Sequence, residues 1–159
     1  MQEGVIRMSP QGIPAIVFGV RDTIYALEQH GTAVLLPWLQ RYSATSHVPG
    51  LPNWCKGLLN VRGTVQMVVD LGQLLGFIPC DLGEHCRLIF IEYGGATLGL
   101  LVDFEIGVRY LRAPDSPVSA RSVPFSRGIA MLEERPVIVL DGAALIAHVA
   151  EDLDAPIAL

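Results

Sequence analysis

A mainly β fold in which one small barrel is made twice is what this 159-residue sequence predicts, on three observations. Nearly all the apolar residues fall in short β-branched or aliphatic runs bounded by turn residues, and few stretches have helical spacing. A Gly-to-Asp unit recurs: Gly57-Leu58-Leu59 leads 13 residues later to Asp70, and Gly128-Ile129-Ala130 leads 13 residues later to Asp141, both displaced by 71 positions. Two Pro-rich breaks, His47 to Pro52 and Ala113 to Pro124, sit at matching points ahead of those units.

In chain order, Ile13 to Val20 and Thr23 to Leu27 read as a first hairpin. Pro37 to Arg41 reads as a helical turn. Gly57 to Val61 and Thr64 to Val69 form a second hairpin, split by Arg62-Gly63, where glycine supplies the positive φ that a tight turn needs. Asn60 and Arg62, two apart, share one face of the strand. Asp70 is placed to cap a short helix over Gly72 to Leu75 by accepting from the amide of Gly72 or Gln73, and Gly76 stops that helix. The first half then covers about residues 13–78 and the second about 84–150, with terminal strands free to exchange between them.

The second half repeats the order. Arg87 to Tyr93 and Ala96 to Val102 form a hairpin around Gly94-Gly95, and Leu88-Ile89-Phe90 echoes Ile16-Val17-Phe18 at a displacement of 72. Ile106 to Leu111 adds a strand, a last hairpin ends at Asp141, and Gly142 to Glu151 is helical with Asp141 as its cap. Residues 1–12 and 154–159 read as tails around one domain spanning 13–153.

Composition excludes several classes. Eleven basic against 16 acidic residues give a net charge of −5, the wrong sign for a polyanion-binding surface, so nucleic acid is not an expected ligand. No run reaches the roughly 18 apolar residues of a membrane span, and the N-terminus lacks a signal pattern, which leaves a cytoplasmic location as the expectation. Cys55, Cys80 and Cys86 are odd in number and lack paired zinc spacing, so they read as free thiols. The four histidines, His30, His47, His85 and His148, form no ligand pattern; no metal and no cofactor is expected. Charged residues make up only 17% of the chain against 51% hydrophobic, which predicts an exposed apolar patch for a partner.

One enzymatic alternative comes from the repeat itself. Asp70 and Asp141 occupy matching positions, as the two carboxylates of an aspartic hydrolase do. Their contexts, Asp70-Leu71-Gly72 and Asp141-Gly142-Ala143, lack the D-T-G or D-S-G loop of such enzymes, so both aspartates read as caps and the expectation is no enzyme.

The order PGLPNW, GLLNVRG, VVDLGQLLGF from Pro49 to Phe77 resembles the core signature of CheW-like domains, adaptors that couple chemoreceptors to a histidine kinase in chemotaxis and twitching arrays. LGLLVDFEIGV (Leu98 to Val108) and SRGIAMLEERPVIVLDGAALI (Ser126 to Ile146) are similar to later segments of the same family, so the likeness spans about residues 13–150. It implies two SH3-like five-stranded barrels, free of catalysis and monomeric when alone. It also implies two partners: the helices of a receptor signalling domain, and the homologous regulatory domain of the kinase. By position in the N-x-R-G motif, Asn60, Arg62 and Gly63 are the implied contacts; read from the residues alone, Arg62 equally suits a pin on a carboxylate such as Asp70 or Asp103, and Asn60 a partner for hairpin backbone groups. Trp38, an aromatic in LLPWL where the family often has an acidic strand, reads either as a further partner contact or as a core filler; here no carboxylate occurs between Glu28 and Asp70. A CheW-like scaffold in another two-component pathway, such as twitching motility, is the companion reading.

Overall fold

The computed structural model describes residues 12–28, 33–41, 49–61, 63–81, 83, 85–113 and 122–153, with the backbone alone for 33–41 and 61. Ten strands and two helices follow in order: β1 (Ile13–Val20), β2 (Thr23–Glu28), β3 (Ala33–Arg41), β4 (Cys55–Val61), β5 (Thr64–Asp70), α1 (Leu71–Leu74), β6 (Arg87–Tyr93), β7 (Ala96–Val102), β8 (Phe104–Leu111), β9 (Ser126–Leu132), β10 (Arg135–Leu140) and α2 (Gly142–Leu153). They form two five-stranded sheets, β8-β1-β2-β10-β9 and β3-β6-β7-β5-β4, the two SH3-like barrels. We call them barrel one and barrel two. In barrel one the end of β8 reaches β9 through paired bonds between Arg112 and Met131, at 2.9 and 2.7 Å, which draws the sheet round on itself.

A cut near residues 78–84 does not divide these sheets. β1 and β2 precede that cut yet belong with β8, β9 and β10, so the halves have exchanged their first hairpins. Pro37 also corrects the expectation of a helical turn. It lies inside β3, at the register shift between Leu35 and Leu39, on an edge strand. An edge strand tolerates a residue that has no N–H to donate.

Register makes the duplication explicit. Gly57 faces Val68 and Asn60 faces Val65 in the β4–β5 hairpin; 71 positions on, Gly128 faces Val139 and Met131 faces Pro136 in the β9–β10 hairpin. Both hairpins are bulged at the same step, and β5 and β10 both pair in parallel with the next strand, β7 and β2. Even the entry turns match. The Asp70 amide donates to the Trp54 carbonyl and the Asp141 amide to the Phe125 carbonyl, each at 2.7 Å.

The first hairpins match at 73, not 72. Phe18 faces Tyr25 and Ile91 faces Leu98, and 91 − 18 and 98 − 25 both give 73. The one-residue difference decides which face each side chain occupies. At 73, Ile16, Phe18, Tyr25 and Leu27 correspond to Ile89, Ile91, Leu98 and Leu100, and all eight lie in one central cluster between the barrels. α2 lays Leu145, Ile146 and Val149 on that cluster, and α1 adds Leu71 and Leu74. Each barrel has its own smaller interior: Val17, Leu111, Val137 and Val139 among others in barrel one, and Val68, Leu88, Phe90 and Leu101 in barrel two.

Candidate functional site

The β4–β5 tip carries the predicted contact residues. Asn60 Oδ1 accepts from the Gly63 amide at 2.9 Å, and Gly63 has φ +83°, so the asparagine side chain closes the turn that glycine permits. Arg62 lies outside the described residues. Trp38 sits on β3, at the opposite end of the strand order from β4, and its side chain is likewise outside the description. The structure therefore brings Asn60 and Gly63 together.

The two aspartates differ. Asp141 Oδ1 accepts from the Ala144 amide at 3.1 Å, a cap at the start of α2. Asp70 makes no such bond; it is the last residue of β5, aligned with Leu101 of β7, and its extended backbone leaves the carboxylate on the Gln73 side chain, Nε2 to Oδ2 at 3.0 Å. Asp70 is 1% exposed and its Oδ1 has no hydrogen-bond partner among the described residues. The expectation of a backbone cap at Asp70 is thus corrected, the side chain of Gln73 taking the place of the amide. Both carboxylates have local partners at their own helix starts.

Sequence reading missed the polar junction between the barrels. Arg21, in the β1–β2 turn of barrel one, donates from its amide to Asp103 Oδ2 at 2.7 Å and from Nη1 to Asp103 Oδ1 at 3.1 Å. Asp103 is the link between β7 of barrel two and β8 of barrel one, and its amide donates to the Gly19 carbonyl at 3.0 Å. Arg21 Nη2 reaches the Ile78 carbonyl at 3.1 Å, and the guanidinium lies 5.7 Å from the centroid of the Phe77 ring. One side chain therefore ties the hairpin, the crossover and the segment after α1. The backbone marks the residue too: Arg21 takes φ 55°, a left-handed conformation in which a residue with a Cβ is strained and usually has a reason to be.

A second junction is aromatic. The Tyr93 ring at the end of β6 lies so close to Gly142 that a Cβ there would stand 2.6 Å from it. Glu28 and Arg127 pair nearby at 3.1 Å. Burial pushes the Tyr93 hydroxyl above its ordinary value; the charges of Asp141 and Glu28 push the same way and Arg127 opposes them.

Among the described residues the exposed large apolar side chains are Val65, Ile78, Phe104, Val108 and Tyr110, three of them on β8. Beside β8 a concavity of about 510 Å³ is lined by Ile106, Arg109 and Leu132 to Arg135. Among the described residues no cluster of three or more His, Cys, Asp or Glu could hold a metal ion, and no helix is long and apolar enough to cross a membrane.

A family model described as the CheW-like domain matches residues 14–150. Protein PilI of Pseudomonas aeruginosa is 30% identical over 108 residues, 65% of this chain and 60% of that protein. The chemotaxis protein CheW of Bacillus subtilis is 28% identical over 92 residues, 58% of this chain and 56% of that protein. The chain thus matches somewhat under two thirds of the length of these two relatives. The crystal structure of the scaffolding protein TtCheW from Thermoanaerobacter tengcongensis superposes with a TM-score of 0.67 at 23% identity, over 82% of this chain and 89% of that one, and shows the shared fold.

Proposed function

The chain belongs to the CheW-like domain family, and from that premise we propose that it is a non-enzymatic cytoplasmic adaptor joining a chemoreceptor to a histidine kinase. The observation that carries the reading is the family match over 14–150, which takes in both barrels and the Asn60–Gly63 turn. Apolar positions of the receptor's helical tip dock in a groove, bordered by Asn60, Arg62 and Gly63 with Trp38 as a further contact. The kinase's regulatory domain occupies a separate surface. The adaptor holds its partners in register, and its control comes from different affinity for their signalling states. Free in solution it is a monomer without cofactor or metal.

An aspartic dyad gains no support, since Asp70 serves Gln73 and Asp141 serves Ala144. A second adaptor reading has an observation in its favour. The relative at 30% identity is named PilI rather than as a chemotaxis protein, which supports a scaffold role in a related pathway such as twitching motility. The test is Arg62→Ala in the full chain. Receptor-fragment affinity drops by about 2 kcal/mol while the melting temperature holds, because a desolvated charged contact is lost without a core defect. Unchanged affinity together with unchanged melting removes Arg62 from the site.

A further inference from the structure

The 71-residue repeat sets Ile78 against Val149, and the two have opposite fates. Val149 is 0% exposed, on the buried face of α2, whereas Ile78 is 84% exposed. Gly76 is the cause: with φ +95° it ends α1, its amide and that of Phe77 turning back to the carbonyls of Gln73 and Gly72 at 3.0 and 2.9 Å. α2 has no such stop and runs on to Leu153. The first repeat therefore puts into solvent the residue that the second repeat buries.

Ile78 is nonetheless held. Its carbonyl accepts from Arg21 Nη2, the same guanidinium is fixed by Asp103, and Phe77 lies under it. A β-branched side chain on a fixed backbone has little freedom left to lose on binding. Exposed Asp22, next to Arg21 in the chain, and exposed Asp81, three residues beyond Ile78, give the surroundings an acidic character.

Resting on the adaptor reading above, we propose that Ile78 is a docking knob for the kinase's regulatory domain, entering an apolar pocket with a basic rim on that folded partner. A single convex side chain suits a pocket on a globular domain; the helices of a receptor tip call for a groove instead. A barrel of this fold can offer such a pocket, as the concavity of about 510 Å³ floored by Ile106 and Leu132 and flanked by Arg109 and Arg135 illustrates. On this chain Glu133 and Glu134 line it too. They offset the two arginines, so a second copy offers Asp22 and Asp81 no net basic rim, which points to a related domain rather than to self-association.

The experiment measures binding of the full chain, Ile78→Asp and Ile78→Leu to the cognate kinase's regulatory domain and, separately, to a receptor-tip fragment. Ile78→Asp weakens kinase binding by about 30-fold or more, as loss of an interface anchor does, while Ile78→Leu stays within about 3-fold. Receptor affinity and melting temperature do not change in either variant. Exposed Cys80, two residues away, loses reactivity to alkylation in the kinase complex. Unchanged kinase affinity in Ile78→Asp overturns the proposal, as does a loss confined to the receptor. Self-association that Ile78→Asp abolishes assigns the knob to a second copy and overturns it as well. Wild-type chain that binds neither partner overturns the adaptor reading itself.

Discussion

At the tip of the β1–β2 hairpin the chain carries Arg21 at φ 55°, and 73 residues on, at the tip of β6–β7, it carries Gly94 at φ 57°. The backbone is the same and the chemistry is not. Glycine takes this conformation without strain, whereas a residue with a Cβ gives up about 1 kcal/mol or more. Arg21 offsets that cost with an ion pair, two further hydrogen bonds and an aromatic contact, binding the barrels where β7 crosses to β8. At the other junction the contact falls one residue earlier, where the Tyr93 ring covers Gly142. Duplication supplied one frame twice; divergence at the two junctions made two different surfaces of it. A frame with unlike faces suits the adaptor role proposed above, in which two unlike partners are held.

The shared part of the comparison gives the largest expected effect. Leu27 and Leu100, 73 apart, are each at most 1% exposed in the central cluster. Leu27→Ala and Leu100→Ala should each cost about 2–5 kcal/mol in denaturant unfolding, and by similar amounts. A several-fold disparity would break the claim of a symmetric core.

The diverged part comes next. Arg21→Ala should destabilise the domain by about 2 kcal/mol, since it leaves Asp103, whose side chain is 23% exposed, without its charge partner. Arg21→Lys should recover only part of the loss, because an ammonium cannot serve Asp103 and the Ile78 carbonyl in the same planar geometry. A neutral Arg21→Ala would make the polar junction ornamental.

The smallest effect lies at alkaline pH. Tyr93 titrates above its ordinary value of 10.0 in the folded state. The native state therefore keeps a proton that the unfolded chain releases, and stability falls as pH rises through and beyond 10.0. Tyr25, also raised by burial, adds to the same slope. Tyr93→Phe should flatten part of that loss in chemical unfolding series at rising pH, and an unchanged slope would mean that the hydroxyl titrates normally.

What the sequence made legible, and what it hid, follows the same division. The β4–β5 and β9–β10 hairpins could be aligned correctly because each begins at a glycine on a bulge and ends at an aspartate, landmarks that pin register. The β1–β2 and β6–β7 hairpins slipped by one residue. Ala15 to Val20 and Leu88 to Ile91 are buried on both faces, so their apolar runs show no alternation from which to choose a face. β3 was hidden by Pro37, which reads as a break unless the strand is known to lie at an edge. Asp70 looked like a cap because Gln73 sits at the right spacing; its alignment with Leu101, which holds it in the strand, is tertiary. Arg21 was invisible as a junction because its partner is 82 residues away. The family was legible through the N-x-R-G turn, which Asn60 Oδ1 closes by accepting from the Gly63 amide.

Whether one duplicated frame serves two partners at once is the central question, and sedimentation of a three-component mixture addresses it directly. Full-length chain, a receptor-tip fragment and the kinase's regulatory domain should form a single ternary species. Each partner should bind the chain with the same affinity, within about 3-fold, whether or not the other is present, as separate surfaces with little coupling require. Displacement of one partner by the other, with only binary complexes at saturation, would mean that the two junctions have not diverged into separate surfaces, and would contradict the account.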